Sequence, residues 1–328
     1  MSGPEVRYPV EWQVAVPAGA ELGERPVWDA KAGCLIWVDI LAGHLHRYRP
    51  GAGDEVFHAA GVPVGAAAPR AAKGAGEGGT GRWARGGGYV LAAADGFRLV
   101  GAGGGAEGWP DGSPDGGARR PPGMAADVRF NDGACDPAGR FWAGTVARDR
   151  HPGAGALYRL DPDGQVTVVL DGVTESNGLG WSPDGGTFYF IDSGEPRPRI
   201  RAFPCDLAAG TLGTPQDLIQ PAPEDGIPDG LIVDAAGCLW VAFWGGHAVR
   251  RYSADGRLLA ELPVPASQPS CPALGGPDLA DLYVTTAWED MTPEQRAAEP
   301  LAGHLLRTRP GDAGLEGVRG QPAGQFGG

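Results

Sequence analysis

The sequence predicts an all-β chain: a six-bladed β-propeller with a central-channel metal site, forming a single domain over residues 1–328. Three observations lead there. A turn-plus-strand unit recurs at intervals of about 50 residues. No segment carries a convincing amphipathic helical period. Four oxygen-bearing side chains occupy one position of the recurring unit.

Each unit opens with a turn ending in Gly and runs into an apolar, aromatic strand. The first is DAKAGCLIWVDI, with Gly33, and GGYVLAAADGF at Gly87 is the second. The third to fifth are DPAGRFWAGTV, SPDGGTFYFID and DAAGCLWVAFW, with Gly139, Gly185 and Gly237; LADLYVTTAW near Leu282 is a weaker sixth. A second strand signal trails several copies: GHLHRYRPGAG, GALYRLDPDG, HAVRRYSADG and GHLLRTRPGDAG alternate apolar residues and stop at a Pro, Asp or Gly turn. Several short strands per unit at a fixed period fit propeller blades, whereas a sandwich needs no such period. The spacing is too long for WD repeats, which run about 40–45 residues, and the pair Trp28-Asp29 precedes its strand instead of closing it.

Two Gly- and Pro-rich tracts interrupt this pattern. Residues 66–85, within AAAPRAAKGAGEGGTGRWARGG, read as a disordered insertion, because their composition offers too little apolar surface to offset the entropy of ordering. Residues 101–123 read as a long loop.

Composition excludes several functions. Forty acidic against 27 basic residues give a net charge of −13, which opposes binding to a polyanion, so no nucleic-acid partner is expected. MSGPEVRYPVEWQV has no basic start followed by an apolar stretch, and no apolar run reaches about 18 residues; a cytoplasmic protein without a membrane partner is expected. The five cysteines lack a C-x-x-C pair, which argues against a disulfide framework or a zinc knuckle. Neither a G-x-S-x-G nucleophile turn nor a phosphate loop is present, so any chemistry here is metal-assisted.

The repeat then serves as a ruler. Five residues before the turn-opening Asp29, Asp136, Ser182 and Asp234 stand Glu24, Asn131, Asn177 and Asp229. Asn131 and Asn177 are the only asparagines in the chain. Equivalent positions of successive blades face one axis, so these four oxygen donors are expected to converge on a hard divalent cation. Asn-Gly and Asp-Gly are also common turn dipeptides, and any one of the four alone would read as a turn. Arg129, two residues before Asn131 on the same strand, shares its face.

At these residues the chain resembles the gluconolactonase family that includes regucalcin. The resemblance runs through LGERPVWD, RFNDGACDPAGRFWAGT, SNGLGWSPDG and PDGLIVDAAGCLWVAFWGG. It implies a metal-dependent lactonase, acting on a small-molecule lactone, with Glu24, Asn177 and Asp229 as metal ligands and Arg129 and Asn131 as substrate contacts. Asp229 would serve as catalytic base as well. A substrate-contacting glutamate of the family is matched here by Asp149. The all-oxygen ligand set favours Ca²⁺, with Zn²⁺, Mn²⁺ or Mg²⁺ as alternatives. Two further readings stand beside this one: a non-catalytic calcium-binding regulatory propeller, and an esterase or phosphotriesterase using the same metal site. The oligomeric state is not legible.

Overall fold

The structure is a computed structural model describing residues 7–71, 87–109, 111–113, 117–194 and 198–328. Alternating and apolar runs pair as antiparallel strands in six sheets, arranged as the blades of a propeller. Blade one comprises Gly23–Asp29, Cys34–Asp39, His44–Arg49 and Gly53–Ala59 from the axis outward. Blade three comprises Val128–Cys135, Phe141–Ala147, Gly155–Leu160 and Val166–Val173. The innermost strands of blades two, four, five and six are Val64–Pro69, Ser176–Trp181, Ile227–Val233 and Pro269–Gly275. Among the described residues the one α-helix is Pro293–Ala298, capped by Thr292.

Ring closure comes from the chain's two ends. Gln13–Val16 pairs with Leu305–Thr308 and supplies the outer strand of blade six. Opening the ring would therefore expose a sheet edge as well as apolar surface.

The core is divided among the blade interfaces. Trp142, Trp181 and Phe188 form a contiguous apolar cluster between blades three and four, and Phe97, Phe130 and Phe141 one between blades two and three. Trp28 and Tyr283 stack between blades one and six. Each blade thus buries an apolar face on both neighbours, and the inner strands are held around the axis.

The expected insertion at 66–85 needs correction at its start. Ala66–Pro69 belong to the buried innermost strand of blade two, pairing with Tyr89–Ala92. Alanines suffice there because small side chains fill a narrow space near the axis. Residues 72–85 lie outside the described residues. The 101–123 tract is not all loop, since Ala106–Glu107 is the outer strand of blade two and Trp109 is buried.

The turn-opening aspartates of the repeat have a structural task. Asp136 Oδ1 accepts from the amides of Ala138 and Arg140, both at 2.9 Å, and Oδ2 accepts from Trp142 Nε1 at 3.0 Å. Asp234 repeats this with Ala236, Cys238 and Trp240. One carboxylate thus fixes the turn and anchors the following strand's Trp. Asp136 is fully buried, so Asp136→Ala should destabilise by about 3 kcal/mol or more, leaving buried donors unpaired. Denaturant midpoints would show it, with a smaller loss for the exposed turn residue Asp163→Ala.

Candidate metal and substrate site

Every innermost strand breaks its pairing at an equivalent position. The register shifts lie between Glu24 and Val27, Val64 and Ala66, Phe130 and Asp132, Ser176 and Leu179, Pro228 and Leu231, and Pro269 and Cys271. A bulge frees one residue from the ladder and re-aims its side chain. Asn131, Asn177 and Asp229 sit within three of these shifts and Glu24 at the edge of a fourth. Gly65 and Ser270 fill the corresponding places in blades two and six.

The Asn-Gly and Asp-Gly pairs are therefore strand residues, not turns. A Cβ on Gly178 would lie 2.5 Å from the Cβ of Leu231, and one on Gly230 would lie 2.5 Å from Cys271 Sγ. Glycine is required because adjacent inner strands approach so closely.

Glu24, Arg129, Asn131, Asn177 and Asp229 line one cavity of about 70 Å³. Arg129 Nη1 donates to Asn131 Oδ1 at 2.6 Å, and Asn131 Nδ2 donates to Asn177 Oδ1 at 2.8 Å. Asn177 Nδ2 donates to Ser193 Oγ at 2.9 Å, and that hydroxyl donates to Pro228 O at 2.6 Å. This relay fixes both amide orientations. It explains why asparagine survives at these two places: each side chain both accepts and donates, which neither Asp nor Ser can do in the same way.

Burial governs the electrostatics. Glu24 is pushed up to about 8 by desolvation and then by the nearby Asp132 carboxylate, against the opposing pull of the Arg25 amide and guanidinium. Desolvation, with Glu24 and Glu175 as neighbours, raises Asp229 well above the usual carboxylate range. Desolvation likewise lowers Arg129. Two buried carboxylates beside one another call for a proton or a cation. Asn177 Oδ1 retains one lone pair after accepting from Asn131, so Glu24, Asp229 and Asn177 fit a hard divalent cation. Among the described residues no three His, Cys, Asp or Glu side chains form a metal cluster; the fit depends on an amide oxygen.

Arg25 braces this ring. Its backbone lies in the left-handed region at φ 39°, and its Nη1 is 3.3 Å from Asp132 Oδ1 and 3.4 Å from Leu231 O. The side chain thereby links blades one, three and five, while its amide donates to Glu24 Oε2 at 2.6 Å.

Asp149 does not join the cavity, which corrects the sequence expectation. It is exposed, bonded to His151, while Arg150 lines the cavity instead. The physical reason is a turn: Arg150 N donates to Ala147 O at 3.0 Å, and Arg150 has φ 54°. The chain reverses there, turning Asp149 outward. Glu175, Ser193, Trp244 and Glu289 also line the cavity and were missed. Glu175 stands two residues before Asn177, a signal that was available; Glu289 lies outside the repeat's strands and gave none.

Residues 22–288 match the family model described as the SMP-30/Gluconolactonase/LRE-like region. The chain belongs to this family. Within it, the chain is 37% identical over 289 residues to 6-deoxy-6-sulfogluconolactonase of Pseudomonas putida, covering 88% of this chain and 91% of that protein. It is 35% identical to regucalcin of Danio rerio, covering 92% and 93%. The crystal structure of regucalcin from Agrobacterium tumefaciens, described as a calcium-binding protein, superposes with a TM-score of 0.82 at 28% identity, covering 98% and 99%. Among the described residues, no helix is long and apolar enough to cross a membrane.

The raised carboxylates give a pH prediction. A Glu whose folded pKa exceeds its unfolded value stabilises the fold at low pH, and this contribution is lost as pH rises from about 4.5 through about 8. With chelator present, melting temperature should fall across that window more steeply in the native protein than in Glu24→Gln. Parallel pH profiles for the two proteins would contradict it.

Proposed function

We propose that the protein hydrolyses a sugar lactone, using one divalent cation held by Glu24, Asn177 and Asp229. The observation that carries this reading is the meeting of two buried carboxylates with the Arg129–Asn131–Asn177 relay in one cavity. The family and the relative named 6-deoxy-6-sulfogluconolactonase support it. Ca²⁺ suits the all-oxygen donors best, and Mg²⁺, Mn²⁺ and Zn²⁺ are the alternatives to compare.

When bound, the cation would supply Lewis acidity to the lactone carbonyl and increase the acidity of a water molecule. The chain's own residues do the rest. Asn131 holds the Arg129 guanidinium, which donates hydrogen bonds to the lactone and orients its ring. Asp229 takes a proton from the attacking water. The water oxygen bonds to the carbonyl carbon, the ring C–O bond breaks, and the ring oxygen leaves as a hydroxyl on receiving a proton, so the product is a hydroxy acid. Burial strengthens each of these interactions by excluding competing water.

A regulatory calcium site would not need a buried Arg beside its ligands, and this favours the catalytic reading. The test is lactone-dependent acid release by the purified protein, with each of the four metals and with chelator. Turnover should disappear on chelation, and Asp229→Ala should lower kcat by roughly 100-fold or more. Asn131→Ala should reduce kcat/KM by about tenfold or more through loss of the Arg129 anchor. Asp149→Ala should leave both constants unchanged. Lactone opening that persists in chelator and in Asp229→Ala would overturn the metal mechanism.

A further inference from the structure

At the mouth of the cavity stands a charged cluster to which the proposed mechanism gives no role. Arg150 Nη2 donates to Glu289 Oε2 at 3.0 Å, and its Nε lies 3.8 Å from Glu175 Oε1. These groups come from three blades. Glu175 directly precedes the inner strand of blade four, Arg150 follows the second strand of blade three, and Glu289 follows Asp281–Thr286 of blade six. The two glutamates are largely buried, with side chains 17% and 15% exposed, whereas Arg150 is 48% exposed. Such a cluster costs desolvation, and an exposed ion pair returns little stability for it. Placement at the cavity mouth gives it a use.

We propose that Arg150, Glu175 and Glu289 are the specificity-determining residues of this site, selecting uncharged, hydroxyl-bearing substituents on the part of the lactone distant from the carbonyl. This rests on the lactonase reading above. A hydroxyl both donates and accepts, and the rim offers both partners: carboxylate oxygens to accept and guanidinium N–H groups to donate. An anionic substituent would have to draw Arg150 from Glu289 and then lie beside the Glu175 carboxylate. An aliphatic substituent would desolvate three charged groups without replacing their hydrogen bonds. The neighbouring wall suits a sugar ring, because Trp244 and Ile227 pair across two strands of blade five and both line the cavity, with Ile227 exposed. Such a wall takes a ring's C–H face while the rim reads its hydroxyl edge.

The experiment compares kcat/KM for three lactones: gluconolactone, unsubstituted δ-valerolactone, and a monolactone of an aldaric acid carrying a free carboxylate. The native protein should prefer gluconolactone to each of the others by about tenfold or more, since a site built to bond hydroxyls rejects analogues lacking them. In Glu289→Gln, which loses the negative charge and releases Arg150, the anionic-to-neutral ratio should rise by about tenfold. In Glu175→Ala the gluconolactone-to-valerolactone preference should fall by a similar factor. Metal-induced rises in melting temperature, measured for each variant, confirm that the inner site is intact. Binding of the polyol glucitol, followed by Trp fluorescence, reads the rim without turnover, so it still decides the matter if no lactone is opened: it should weaken in both variants. Unchanged ratios, or unchanged glucitol binding in variants that keep their metal response, would overturn the assignment. Absence of turnover on all three lactones, with glucitol binding sensitive to both variants, would instead overturn the lactonase reading alone.

Discussion

Two buried carboxyl groups, Glu24 and Asp229, line one cavity, and the rest of the structure depends on holding them there. Neither position is tolerable in isolation, because desolvation alone favours their protonated forms. A propeller is well suited to impose such proximity. Its inner strands cannot move apart without disrupting an apolar interface on each side, so the two carboxylates are held in place by the whole ring of blade contacts. The bulges convert that rigidity into chemistry: where pairing lapses, a side chain that would otherwise follow the strand's alternation is directed at the axis.

The charge balance is arranged in layers. Arg25 answers Asp132 within the channel, and Arg129 is bound to Asn131, so each guanidinium already has a fixed partner. Glu24 receives an amide hydrogen bond but must share the influence of Arg25 with Asp132, and Asp229 is raised first by desolvation and then by other carboxylates. Arg25 has a second effect, since its reach from blade one ties blades three and five together through Asp132 and Leu231 O.

The inner ring was legible because strand periodicity makes it so. A repeat with fixed turn residues places Glu24, Asn131, Asn177 and Asp229 in one register by counting, and the depletion of asparagine marks two of them. What the pattern could not reveal was why glycine follows Asn177 and Asp229, since close approach of neighbouring blades and turn geometry use the same residue. Loops follow no such ruler. Asp149 was placed by its match to a substrate-contacting glutamate of the family it resembles, but one left-handed residue, Arg150, turns the chain there, and it is Arg150 that lines the cavity. Ala66–Pro69 failed for the opposite reason: an alanine run has neither the bulk nor the alternation by which a buried strand is recognised, although near the axis small side chains are what fits.

These two degrees of legibility correspond to a division within the site. The residues proposed to hold the cation lie in bulged inner strands, where a change of side chain must be reconciled with neighbouring blades only ångströms away. The residues at the mouth lie just beyond strand ends, where Arg150 and Glu289 approach from different blades through connections that tolerate substitution. On the proposed assignments, substrate preference could be altered at the rim without disturbing the inner-strand residues, and the reverse change would be far harder. Such a division is consistent with a family whose members carry names as different as 6-deoxy-6-sulfogluconolactonase and regucalcin while sharing more than nine-tenths of their length with this chain. In the proposed reaction, the inner strands would set where the lactone carbonyl sits. The loops at the mouth would then determine which substituents it carries.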